Sequence, residues 1–207
     1  HWWPDGRSYQ GQWREGLYHG VGRQSCADGR IFTGQFVENM PHGEGICHLP
    51  DGAVYEGQIC QGFFQGHGTL HWADGHKYTG SFVSDMMEGE GEYHSPDGKS
   101  VYRGQFMEDV QHGEGFFLSP SGHVYEGQFQ GDMPQGSGRM LYADGRVEEG
   151  QFENGCLVSK ESEAADGGPP DGASGPLLVA ADGLPEGDAG LEGAAGGLLG
   201  GDGGGRP

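Results

Sequence analysis

Ten histidines, four cysteines and 31 carboxylates invite a metal or acid–base reading, and their spacing decides how far it goes. His19, His42 and His112 each stand before a glycine at one recurring position, and His48, His71 and His94 form a second series 23 residues apart. If 23 residues fold as two strands, neighbours in a series lie about 10 Å apart, whereas metal ligands converge within about 2.1 Å of one ion. Such a series closes no site by itself, and no nucleophile, base and orienting group stand together elsewhere. No catalytic residue, no metal and no cofactor are therefore expected. The triplets opening at Gly20, Gly43, Gly66, Gly89, Gly113 and Gly136 read G-x-G, but they lack the following helix and the Lys-Ser/Thr of a phosphate loop. Cys26, Cys47, Cys60 and Cys156 fall in no C-x-x-C spacing and read as reduced thiols of a cytosolic protein.

The elements that carry these residues follow from a repeat. Tyr9, Phe32, Tyr55, Tyr78, Tyr102 and Tyr125 recur at 23, 23, 23, 24 and 23 residues, and Glu148 opens a shorter copy. A fixed period of this length means stacked units that bury their apolar faces against one another. Each copy begins with a strand such as YQGQW or YEGQF, where the first, third and fifth residues share one side. Tyr9, Trp13, Phe32, Phe36, Tyr55, Tyr78, Phe82, Tyr102, Phe106, Tyr125, Phe129 and Phe152 are thus expected as structural aromatics, with the glycine between them leaving room for rings. Gly16, Asn39, Gly62, Asp85, Asp109, Asp132 and Gly155 tolerate φ > 0 and predict a hairpin turn. A second strand opens with the G-x-G triplet, and Asp-Gly or Ser-Gly pairs at Asp28, Asp51, Asp74, Asp97, Ser121 and Asp144 predict the turn into the next unit.

The pattern of Tyr, Gly, aromatic, turn residue, H-G-x-G and D-G resembles the MORN repeat family across roughly residues 2 to 158. The resemblance implies an all-β fold, an elongated single-layer antiparallel meander of stacked β-hairpins. Six repeats would occupy 9–147, with a partial one at 148–158 and the end of a preceding repeat at 1–8. Trp2-Trp3-Pro4-Asp5-Gly6 reads as that end, and His1 opens the chain, so an earlier segment is expected to precede it. Residues 159–207 contain none of the 22 aromatic residues and are rich in Gly, Ala, Pro and Asp, the composition of a disordered acidic tail. By resemblance the chain is expected to be a non-enzymatic scaffold for protein–protein interactions, cytoplasmic, in a ciliary, axonemal or other cytoskeletal setting. Relatives also supply the alternatives: a targeting or regulatory module of a phosphoinositide kinase or lysine methyltransferase, or a membrane-contact tether.

Charge narrows the partners. The chain carries a formal −20, of which −13 lies in residues 1–158 and −7 in the tail. Nucleic acid needs a concentrated basic surface to replace phosphate counterions, and anionic lipid needs clustered Lys and Arg. Many MORN repeats carry Lys or Arg just before H-G; the pairs here are Leu17-Tyr18, Met40-Pro41, Phe63-Phe64, Met86-Met87, Val110-Gln111 and Met133-Pro134. Other proteins are the expected partners, with self-association left open.

That column also holds the candidate partner-binding ridge. Leu17, Met40, Phe63, Met86, Val110 and Met133, with Cys156 in the last copy, adjoin turns, where polar residues are the rule. Two readings stand side by side: each side chain folds back over the aromatic of its own hairpin, or the column forms an apolar surface for a partner. The Gln12, Gln35, Gln58, Gln105, Gln128 and Gln151 series is the next candidate surface.

Overall fold

The computed structural model describes residues 1–160, so the disorder expected of the tail concerns residues that, from 161 on, lie outside the described ones. The first strands in chain order are β1 (Ser8–Arg14), β2 (Leu17–Ser25), β3 (Ile31–Val37), β4 (Met40–His48), β5 (Val54–Cys60), β6 (Phe63–His71) and β7 (Lys77–Val83). They are followed by β8 (Met86–His94), β9 (Val101–Met107), β10 (Val110–Leu118), β11 (Val124–Gln130), β12 (Met133–Leu141), β13 (Val147–Glu153) and β14 (Cys156–Lys160). Their order in the sheet is their order in the chain, an all-β antiparallel meander without a crossover. The chain divides into two compact units within β8, one ending at Glu88 and the next opening at Gly89.

Two kinds of turn alternate, each set by its residues. Within a hairpin the two turn residues, from Glu15–Gly16 to Asn154–Gly155, both have φ between 49° and 85°. Positive φ at both positions is what a type I′ turn demands, and its twist matches that of the flanking strands. Between hairpins the Asp-Gly pairs do not make the short turn expected of them. The Cys26 N–H donates to the Arg30 carbonyl at 2.8 Å and the Gly29 N–H to the Cys26 carbonyl at 3.1 Å, while Asp28 accepts from the Arg30 N–H at 3.0 Å. The aspartate thus closes a wider loop through its own carboxylate. Before β9 the corresponding loop runs from Ser95 to Ser100 and absorbs the extra residue of the 24-residue spacing.

The core lies on one face of this sheet. Tyr9 lies over the Gly11–Gly22 cross-strand pair; a Cβ at Gly22 would stand 2.4 Å from its hydroxyl oxygen, and one at Gly11 would stand 2.5 Å from the Gly22 Cα. The Tyr9 hydroxyl then donates to the Gln12 carbonyl at 2.9 Å, as Tyr55, Tyr78, Tyr102 and Tyr125 do to the carbonyl three residues on. Tyr102 meets Phe106 and Phe129 edge to face at 5.1 and 4.9 Å, and Tyr125 meets Phe129 and Phe152 at 5.1 and 4.9 Å. Each such contact contributes about 0.5–1.5 kcal/mol beyond burial, so rings of one hairpin hold the next. Trp13 departs from its column: it is 47% exposed, whereas Phe36, Phe82, Phe106, Phe129 and Phe152 are buried. β1 is the first strand of the sheet: β2 pairs along it on one side, and on the other only its start is covered, by the Trp2–Ser8 bridge and the bond from the Tyr9 N–H to the His1 carbonyl.

Candidate interaction surface

Strand alternation assigns every side chain to the aromatic face or to the opposite one. In the first hairpin Trp13 pairs with Tyr18 on the aromatic face, and Arg14 pairs with Leu17 on the other. The same parity pairs Val37 with Met40, Cys60 with Phe63, Met107 with Val110, Gln130 with Met133 and Glu153 with Cys156. Leu17, Met40, Phe63, Val110 and Met133 therefore do not lie over the aromatics of their own hairpins, which corrects the fold-back reading. Phe63, Met86 and Val110 are half-buried, and Leu17, Met40 and Met133 are exposed.

Exposed apolar side chains concentrate on this second face. Leu17, Val21, Val37, Met40, Ile46, Met107, Met133, Leu141 and Val147 all lie there by register and are 37% to 62% exposed. Val37 and Met107 belong beside the proposed ridge and were missed in the sequence. The signal was available: each immediately follows the buried second aromatic of its strand and must therefore point the other way. In the His1–Glu88 unit Val37 and Met40 pair directly at the turn edge, and Leu17 and Phe63 hold the equivalent position in the hairpins before and after, beside Arg14 and Cys60.

Polar groups along the sheet are mostly spent internally. The strand register skips between Gly11 and Trp13, forming a bulge. There the Gln12 amide oxygen accepts the Val21 N–H at 3.0 Å and lies where a Cβ on Gly20, φ 64°, would sit. Gln58, Gln105 and Gln128 do the same for His67, Glu114 and Ser137. Gln12, Gln58, Gln105 and Gln128 thus seal bulges, whereas Gln151 donates to the Ser137 hydroxyl at 2.7 Å.

A second set of bonds joins consecutive hairpins. The Asn39 N–H donates to the Tyr18 carbonyl at 3.0 Å while its side chain accepts the Tyr18 N–H at 2.8 Å. Phe64 with Asp85 and Gln111 with Asp132 repeat the clasp, each side-chain bond being 2.7 Å. Where the earlier residue is Pro41 or Pro134 there is no N–H to satisfy, and the turn residue is Gly62 or Gly155, which keeps only the bond to the proline carbonyl, at 3.0 Å. Burial pushes the Asp132 carboxyl up, opposed by the bond from Gln111.

Reactive chemistry finds little footing here. Burial pushes the Cys47 thiol up to about 12 and also raises Cys26, away from thiolate character. Burial likewise raises the Tyr55, Tyr102 and Tyr125 hydroxyls. His94 is in close contact with Glu92, which also accepts from Arg103 at 2.8 Å. Among the described residues no three His, Cys, Asp or Glu side chains converge as metal ligands would, and no helix is long and apolar enough to cross a membrane.

The MORN repeat model matches residues 9–29, 32–54, 55–77, 78–100, 102–124 and 125–145. The chain belongs to the MORN repeat family. Its six matched repeats begin at Tyr9, Phe32, Tyr55, Tyr78, Tyr102 and Tyr125, the buried rings that open the hairpins. No curated protein matches the chain. Among solved structures, the TCP domain of SAS-4 (dCPAP) from Drosophila melanogaster, in complex with a proline-rich motif of Ana2 (dSTIL), is 13% identical with a TM-score of 0.42, covering 64% of this chain and 73% of that one. The TCP10c domain of Drosophila melanogaster Sas-4 is 12% identical with a TM-score of 0.41, covering 73% and 90%. The G-box domain of the microcephaly protein CPAP is 17% identical with a TM-score of 0.36, covering 74% and 97%. Likeness at this level transfers no function to the MORN repeats of this chain.

Proposed function

We propose that this MORN-repeat chain is a non-enzymatic scaffold that holds partner proteins on the face opposite its aromatic core, in a ciliary, axonemal or other cytoskeletal assembly. The observation that carries the reading is the sorting of large apolar side chains: rings are buried on one face, while Val37, Met40, Met107, Met133 and their neighbours stay in contact with water on the other. Contiguous exposed apolar surface of this kind marks interaction sites, and methionine adapts to the partner's shape. The cytoskeletal setting rests on the family resemblance.

The test is proximity labelling in ciliated cells, with the parent chain and a variant carrying Met40→Asn, Phe63→Asn, Met86→Asn and Met133→Asn. Labelling of axonemal or other cytoskeletal proteins is expected for the parent and should be lost in the variant, with the β-sheet circular dichroism retained. An unchanged labelling profile from a normally folded variant refutes the turn column as the binding surface.

A further inference from the structure

The second face differs between the two units at its loop end. In the Gly89-onward unit Leu118 pairs with Val101 on one side and Val124 on the other, and Leu141 pairs with Val124 and Val147. Five apolar side chains therefore stand in register on β9 to β13, a row about 19 Å long at a strand spacing of about 4.8 Å. At the equivalent register of the His1–Glu88 unit, Ile31 and Val54 alternate with His48 and His71, and Lys77 follows. The continuous row belongs to the second unit alone.

Beside the row runs an acidic groove. It is an open depression of about 400 Å³ lined by Glu114, Glu126, Ser137, Arg139 and Glu149, with the glycines of the bulge as its floor. Arg139 is bonded to Glu149 at 3.0 Å, and Arg103 is taken by Glu92 at 2.8 Å. Glu126 faces this same Arg139 in the strand register and Glu114 faces Gln128, so three carboxylates share one guanidinium and the groove keeps a net negative charge.

Charge selects the occupant. The chain's own segment after residue 158 carries −7, and a second copy would bring another acidic array of −13. Both are repelled by the groove, as are nucleic acid and anionic lipid. We infer that the second face of this unit binds a partner helix bearing an apolar stripe flanked by Lys or Arg. The row crosses the strands in steps of about 4.8 Å, which suits helix positions i, i+4, i+7 and i+11, advancing about 4.5–6 Å per step. About 13 residues of helix span it at 1.5 Å each. The apolar stripe covers Leu118, Val124, Leu141 and Val147 while the basic flank reaches Glu114 and Glu126.

This inference rests on the proposed use of the second face, and the test separates the two. Two synthetic peptides of about 16 residues share one leucine stripe at i, i+4, i+7 and i+11 and differ only in flanking Lys or Glu. Their binding to the full chain is followed by fluorescence anisotropy near physiological salt. The Lys peptide should bind saturably and the Glu peptide should not. Glu114→Lys with Glu126→Lys, and separately Leu141→Asn with Val147→Asn, should each weaken the Lys peptide by about tenfold or more. Glu114→Gln with Glu126→Gln should give a smaller loss, and Val37→Asn with Met40→Asn in the other unit should give none. Circular dichroism establishes that each variant is folded. Absence of saturable binding, or equal affinity for parent and charge-reversed chains, overturns the groove. Loss only in the Val37/Met40 variant overturns it too, while leaving the second face in use at the other unit.

Discussion

Replacing Asp132 by Gly and Gln111 by Pro should each destabilise the chain alone and nearly cancel together. The pair is the inter-hairpin clasp: Asp132 accepts the Gln111 N–H at 2.7 Å and returns its own N–H to the Gln111 carbonyl at 3.2 Å. Glycine keeps the φ of 65° at position 132 without strain, so Asp132→Gly removes only the acceptor. An orphaned buried N–H costs about 1–3 kcal/mol. Gln111→Pro removes the donor and leaves a partly buried carboxylate without its bond, a loss of about the same size. It also removes the Gln111 side-chain oxygen, which is buried without a partner and contributes nothing to keep. The double variant reproduces the Pro41–Gly62 and Pro134–Gly155 pairs found elsewhere in the array. A coupling of about 2–6 kcal/mol, close to the sum of the two single losses, is therefore expected, with the double variant within about 0.5 kcal/mol of the parent. At about 2–4 °C per kcal/mol for a chain of this size, each single variant should lower the thermal midpoint by about 2–12 °C. Thermal melts followed by circular dichroism, checked by urea titration, measure the cycle. Losses that simply add in the double variant would refute the donor-for-acceptor account of this column.

Two further outcomes follow from the packing and the charges. Gly104→Val would place a Cβ 2.5 Å from the Glu114 carbonyl oxygen and 2.6 Å from the Gly115 Cα; backbone cannot yield as a side chain can, so a loss of about 3 kcal/mol and a new protease cut within the Gly89-onward unit are expected. A parent-like melt and digest would refute the ring-over-glycine packing. The Arg103 guanidinium lowers the Glu92 carboxyl, with burial opposing and His94 assisting. Its stabilisation is therefore present above the unfolded value near 4.5 and is lost as pH falls through the depressed folded value. Glu92→Gln should flatten the fall in thermal midpoint below pH 4.5, and an acid limb as steep as the parent's would count against that pair.

The local code was open to reading in the residues themselves. Tyr9 to Tyr125 mark the period, Gly16 to Gly155 mark the hairpin turns, and two-residue alternation puts the rings and Gly11 or Gly104 on one side, because turn chemistry and strand parity act within a few residues. The structure alone shows that Gln12 and Gln58 seal a bulge, that Asp28 closes a wide loop through its carboxylate, and that Asn39 or Asp132 reaches back to the preceding hairpin. The glutamine and the Asn39 or Asp132 bonds go to partners whose place is set by strand register, whereas Asp28 bonds the N–H two residues on and depends on the path of its loop. The ridge shows the same division. In the sequence Leu17 and Met40 allowed either reading, and strand register put them on the face away from the rings; the continuity of Leu118, Val124, Leu141 and Val147 and their nearness to Glu114 and Glu126 likewise arise only when separate strands pair, since lateral neighbours in a sheet are far apart along the chain.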